Sequence, residues 1–301
     1  MAKTRFAGIN PAVITPFSDK GELDLIGLKA NIKFYMDSGV HGLVINGSTG
    51  EAAALTREER VTIIKAAAEI AKGRLKIIAG TGASTTGHAV TFSRDAEEAG
   101  ADAVLVITPF SVIPNKEGLY QYYKQISQAI KIPLIAYNLP QHTGVSLGAE
   151  TLVRLVDEGL VAGIKDSSGN MSVMAQIVKE VGDKISVLTG ADDLLLQSFV
   201  TGCSGAIIAL ANIAPKQTVQ LYESVQRGNI SEAKDMYFKL LPVAQSIISP
   251  ENFPAQVKEL VKLMGRPAGP CRSPILPVST EERKNLARAL EHAELVEKIK
   301  A

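Results

Sequence analysis

Lys165 closes the string Leu160-Val161-Ala162-Gly163-Ile164-Lys165-Asp166, an apolar run that reads as a buried strand ending in an amine. A lysine so placed keeps its stem in hydrocarbon and its nitrogen at the mouth of whatever the strand helps build. Burial disfavours the ammonium form, and a neutral amine is a nucleophile for carbonyl groups. The bland alternative is a snorkelling lysine whose charge reaches water or the neighbouring Asp166 carboxylate. Two more strand ends carry chemistry. One runs into Gly47-Ser48-Thr49-Gly50-Glu51 and the other ends in Tyr137-Asn138. Taken singly, these are a tight turn and a packing tyrosine. Taken together, they fit Schiff-base catalysis.

A neutral Lys165 amine would attack the ketone of a 2-oxo acid such as pyruvate and lose water to form an iminium. That cation is an electron sink, so a proton leaves the adjacent methyl and an enamine carbon nucleophile results. Loss of water and proton transfer need a hydroxyl acid–base near the nitrogen, and Tyr137 is the obvious group. The substrate carboxylate needs donors that add no second cation beside Lys165. Backbone N–H groups and hydroxyls of the glycine-flanked turn at Gly47, Ser48 and Thr49 meet that need. Glu51 reads as a residue that ties the turn down.

Competing motifs are weak. Gly80-Thr81-Gly82-Ala83-Ser84-Thr85 starts like a dinucleotide fingerprint but lacks the third glycine, and no phosphate-binding Gly-x-x-x-x-Gly-Lys-Ser/Thr occurs. His41, His88, His142 and His292 have no metal-ligand spacing. Asp192-Asp193, just after Gly190, would suit an oxygen-rich metal or hydroxyl site, although a helix N-cap is the commoner use of such a doublet. No metal and no organic cofactor is expected.

The 301 residues are 46% hydrophobic and 21% charged, with 32 Lys+Arg against 31 Asp+Glu. Such a balance argues against a nucleic-acid or membrane partner held by bulk charge. Cys203 and Cys271 stand far apart, as in a protein of a reducing cytoplasm rather than a disulfide scaffold. Met1–Gly8 has no apolar core of a signal peptide, and no apolar stretch approaches the roughly 18 residues of a membrane span. A cytoplasmic location follows as an expectation.

The elements that must position these groups are read from periodicity. Short apolar runs at 11–15, 42–46, 75–80, 103–107, 133–138, 160–165, 185–189 and 205–209 alternate with amphipathic segments. Continuous apolar character marks strands covered on both faces, as in parallel sheets. The helix at 56–71 opens with a capping box, Thr56 and Glu59. Gly39, Gly73, Gly100, Gly159 and Gly182 stand where left-handed helix ends are expected. The pattern predicts a (β/α)8 barrel over 1–226, with an open doubly wound sheet as its rival, and a helical C-terminal domain over 227–301 with helices at 230–249, 252–264 and 280–299. In a barrel, all strand C-termini converge on one rim.

Several motifs in order, Pro11–Phe17, Gly47–Glu51, Ala79–Gly82, Tyr137–Pro140 and Gly163–Asp166, resemble the dihydrodipicolinate synthase / N-acetylneuraminate lyase family across essentially the whole chain. These are class I pyruvate-dependent aldolases built as (β/α)8 barrels. The resemblance implies that Lys165 forms the Schiff base, that Tyr137 shuttles protons, that Ser48 and Thr49 hold pyruvate and that the Ile207 backbone lines the pocket. It also implies a homotetramer made of two tight dimers.

Two departures concern the second substrate. The synthases carry an arginine after the catalytic tyrosine to grip the carboxylate of aspartate semialdehyde; here His142 stands there, and an imidazole cannot reproduce a bidentate guanidinium contact. The family's tyrosine after strand four, which joins the neighbouring subunit's proton relay, is replaced by Phe110-Ser111. Arg57, Arg60 and His88 match the lysine feedback site of some synthases poorly. Ser111, Gly190 and Asp192 are candidates for a relay or for second-substrate contacts. Gly163–Gly169 and Ala211–Pro215 look synthase-like, whereas Ser48 is the variant of the neuraminate lyases.

The leading expectation is a lyase or aldolase acting on a 2-oxo-3-deoxy sugar acid or a related hydroxy-oxo acid. Dihydrodipicolinate synthase proper is the alternative. A 2-oxo-acid-binding relative without catalysis and a metal-assisted barrel enzyme are more remote.

Overall fold

The computed structural model describes residues 6–249 and 251–296. Eight strands form one sheet: β1 (Gly8–Pro11), β2 (Gly42–Ile45), β3 (Lys76–Gly80), β4 (Ala103–Ile107), β5 (Leu134–Asn138), β6 (Gly163–Asp166), β7 (Ser186–Thr189) and β8 (Gly205–Ile208). Each pairs in parallel with its successor from β2 to β8, and β8 pairs with β1. A parallel bridge between Ala12 and Val44 joins β1 to β2 and closes the ring. This is a (β/α)8 barrel, and the open-sheet alternative is excluded.

The period of two along each strand sorts side chains into two cores. Val104, Val106, Leu134, Ala136, Ile164 and Val187 face the surrounding helices. Leu105, Ile135, Tyr137, Leu188 and Ile207 pack inside the barrel. Lys165 follows the outward Ile164 and so shares the inward parity of Tyr137.

The strand bounds differ from the sequence reading by a single residue at several ends and by more at two places. β1 ends at Pro11, because the backbone beyond it bonds elsewhere: Val13 N donates to Val44 O and Ile14 N to the Asn212 side chain. β6 starts at Gly163, because Leu160 N still closes the preceding helix on Leu155 O. The capping box of Thr56 and Glu59 is present on helix Arg57–Ala71. Gly39, Gly73, Gly100 and Gly159 have positive φ as expected, whereas Gly182 is right-handed with φ −65°.

Beyond the barrel helix Pro215–Gln226 lie helices Ile230–Gln245, Phe253–Leu263 and Thr280–His292. They are shorter than the predicted 230–249, 252–264 and 280–299, and the end of the last prediction lies outside the described residues. Among the described residues no helix is long and apolar enough to cross a membrane.

Candidate active site

Parallel register places Tyr137 directly opposite Lys165, one strand away, at the barrel's C-terminal rim. Both are nearly enclosed, 6% and 7% exposed, and the Lys165 Nζ lies over the Tyr137 ring, 4.1 Å from its centre. Asp166 points the other way and is already engaged. Its carboxylate accepts from Asn138 Nδ2 at 2.7 Å and from the Ser168 hydroxyl at 2.6 Å. The Lys165–Asp166 pairing of the bland reading is therefore not the arrangement found.

Gly190, at the end of β7, makes room for the lysine. A Cβ there would lie 2.4 Å from Lys165 Cε and 2.0 Å from Ser167 Oγ. Close packing accounts for a glycine at this position.

The Gly47–Glu51 turn is held from below and behind. Thr15 Oγ1 donates to Gly50 O at 2.7 Å, and the N–H groups of Gly50 and Ala52 both close on Gly47 O. Ser48 is exposed toward the cavity and Thr49 is buried. The turn is bounded by two non-glycine residues in the left-handed region, Asn46 (φ 58°) and Glu51 (φ 54°), a conformation that must be over-determined by its surroundings. For Glu51 the determinants are a buried ion pair with Lys258 at 2.5 Å and the N–H of Arg272 at 2.8 Å. Burial pushes the Lys258 amine down despite the opposing pull of Glu51.

A cavity of about 580 Å³ opens above these groups. Gly47, Ser48, Tyr137, His142 and Ser111 line it. Lys165, Thr49, Ile207, Gly190 and Asp192 are not on its wall; Lys165 lies behind the Tyr137 ring and Ile207 is fully enclosed in the inner core. His142 and Ser111 are exposed at the mouth, Ser111 on a left-handed backbone (φ 64°). Their loops are tied together below by the Thr108 and Thr143 hydroxyls, 2.9 Å apart.

Asp192 accepts from the N–H of Leu210 at 2.6 Å, so it ties the turn after β7 to that after β8. Enclosure raises its carboxyl to about 6. It is not an N-cap, since no side-chain cap hydrogen bond opens its short helix, and among the described residues no cluster suited to a metal ion occurs.

The wall also holds residues that the sequence reading did not place at the active site. Arg60 also lines the cavity; its guanidinium lies 4.6 Å from the Phe92 ring centre and donates to Ala52 O, and among the described residues nothing accepts from its buried Nε. Phe253, Pro254 and Ile275 come from the C-terminal helical region. An apolar residue in a helical stretch has no chemical signature that would have separated it from core.

A model of the Dihydrodipicolinate synthetase family matches residues 5–293. The chain belongs to that family. With it, the chain is one of the pyruvate-dependent, Schiff-base-forming aldolases and lyases. It is 36% identical to the 4-hydroxy-tetrahydrodipicolinate synthase of Methanocaldococcus jannaschii over 97% of this chain and all of the relative. Dihydrodipicolinate synthase from Thermotoga maritima superposes with a TM-score of 0.94 at 32% identity, covering 97% of this chain and 100% of that one. A prophage protein of the dihydrodipicolinic acid synthase family from E. coli K12, solved in complex with pyruvate, superposes with a TM-score of 0.93 at 30% identity over 97% and 100% of the two chains. Dihydrodipicolinate synthetase family members thus surround the chain in both sequence and structure, and the names of the curated relatives favour the synthase alternative over a sugar-acid lyase.

Proposed function

We propose that this chain condenses pyruvate with aspartate semialdehyde through an iminium on Lys165, as a 4-hydroxy-tetrahydrodipicolinate synthase. The observation that carries the chemistry is the Lys165 amine held against Tyr137, at one register, beneath an open cavity. The names of the relatives support the choice of aldehyde.

Lys165 Nζ attacks the pyruvate ketone, and Tyr137 passes protons as the carbinolamine loses water. The pyruvate carboxylate rests on the Gly47–Thr49 turn, with Ser48 and Thr49 hydroxyls as donors and the Ile207 strand end behind. Loss of a methyl proton gives the enamine, whose carbon attacks the aldehyde; the new C–C bond leaves an alkoxide that takes up a proton. The product leaves Lys165 when its iminium is attacked by water or by its own amine. No metal or organic cofactor enters this scheme. Arg60 is a guanidinium on the cavity wall, and in this reading it supplies the positive charge that His142 lacks. The enzyme works in this reading as a cytoplasmic homotetramer, its barrel at 1–226 carrying the chemistry and 227–301 forming a helical domain.

A second reading, a lyase of 2-oxo-3-deoxy sugar acids, rests on His142 and Ser111 at the cavity mouth. Borohydride reduction in the presence of pyruvate tests the shared chemistry: a covalent adduct is expected on Lys165, and folded protein without one refutes it. Pyruvate consumption with aspartate semialdehyde, measured beside pyruvate release from a panel of 2-oxo-3-deoxy acids, separates the readings. Efficient cleavage with only trace condensation overturns the synthase.

A further inference from the structure

The far wall of the cavity is not built by the barrel. Arg272, Ser273, Pro274 and Ile275 run along it as a strap between helices Phe253–Leu263 and Thr280–His292, with Phe253 and Pro254 beside them. An irregular segment of this kind holds its place only if something fixes it. Lys258 Nζ holds its approach through Pro270 O at 2.8 Å, and the Arg272 side chain fixes the strap itself. Arg272 donates twice to the Glu59 carboxylate, at 2.6 and 2.7 Å, twice to Gly21 O, at 2.7 and 3.0 Å, and once to Ala54 O at 2.8 Å. Its guanidinium plane covers the Phe17 ring, 4.3 Å from the ring centre. Its own N–H donates to Glu51, the last residue of the Gly47–Glu51 turn.

Every edge of the guanidinium is thus taken by protein acceptors, so Arg272 has no donor to offer a substrate. What it offers is position. Strap and turn share one carboxylate, Glu51, so the surface facing the second substrate is registered against the turn proposed to hold pyruvate. The strap itself presents carbon, from Pro274 and half-buried Ile275, beside the Ser273 hydroxyl. Such a face discriminates chain length and branching rather than charge.

We infer that the Arg272–Ile275 strap is the specificity wall for the carbon chain of the aldehyde, with Arg272 as its positioning residue. The inference rests on the aldolase reading above, and it assigns selectivity for the two reactants to different parts of the chain. A lysine at position 272 cannot reach acceptors spread around a plane, so Arg272→Lys frees the strap while keeping the charge. Ile275→Ala removes one wall contact at a half-exposed position where folding is not at risk.

The test compares two aldehyde probes, aspartate semialdehyde and glyceraldehyde, with pyruvate as the common partner. In both variants the ratio of kcat/KM between the probes is expected to change by about tenfold or more, the scale at which a hydrophobic contact discriminates. In Ile275→Ala, which leaves the contact between Arg272 and Glu51 in place, the KM for pyruvate and the yield of borohydride-trapped Lys165 adduct are expected to stay within about twofold of wild type. Thermal unfolding of each variant identifies any general loosening. A probe ratio unchanged in Ile275→Ala, or a pyruvate KM that moves in step with the aldehyde KM, overturns the inference. Wild-type protein that yields no adduct overturns the aldolase reading, and the inference with it.

Discussion

The two sides of the cavity are built differently. On the barrel side, Lys165, Tyr137 and Thr49 are enclosed, fixed by strand register and by a glycine that leaves no slack around the lysine stem. On the outer side, Ser111, Ser273 and Pro274 are exposed on loops and His142 on the single helical turn Pro140–Thr143. In the proposed reaction a nucleophile and its proton shuttle must be held within a fraction of an ångström, and strand register is suited to that. Recognition of an aldehyde tolerates loops, and loops vary freely.

If that contrast is sound, substitutions on the enclosed side strike turnover and those on the open side strike affinity. Lys165→Ala should abolish both turnover and borohydride trapping; residual pyruvate-dependent turnover would move the nucleophile elsewhere. Tyr137→Phe should lower kcat by roughly 10²–10⁴-fold while pyruvate still protects the site, because a positioned acid–base group is lost. An equal fall in pyruvate binding would make Tyr137 a packing residue. Lys258→Met strands the Glu51 carboxylate among buried groups and should cost about 3–5 kcal/mol in urea unfolding. A near-neutral result would show that the turn needs no tether.

Asp192 provides a test by pH. Its carboxyl sits at about 6 in the folded chain, above the ordinary 3.8, so the folded state binds its proton more tightly. That stabilisation is complete below about 3.8 and lost as pH rises through about 6. Unfolding of Asp192→Asn relative to wild type should therefore shift in the variant's favour between pH 4 and pH 7. A difference independent of pH would remove enclosure as the cause. The smallest effect belongs to His142→Ala, expected to alter only the aldehyde KM. A fall in kcat for every aldehyde would draw His142 into the enclosed side.

Much of the enclosed side was legible in the sequence. Lys165 and Tyr137 end apolar runs, and a polar side chain at such a point stands out against its strand. The parity that turns both inward was not legible, because a run apolar on both faces does not say which face lines the barrel. At Gly190 the space a side chain would need is taken by Lys165 of the adjacent strand, a closeness that no local pattern contains. Asp192 likewise bonds to Leu210 rather than to its own helix. The outer wall was illegible, since Phe253, Pro254 and Ile275 are ordinary residues until the chain folds back over the barrel. Gly182 shows the limit of punctuation rules: its helix ends without needing a left-handed residue.

The tether from Glu51 to Lys258 and Arg272 has a consequence for biosynthesis. The turn is translated early and its two anchors late, so a nascent chain carries an unfinished cup until the ribosome has released nearly all of it. A partly made polypeptide, or one cut ahead of these anchors, would lack the floor proposed to receive the keto acid, and so should stay silent.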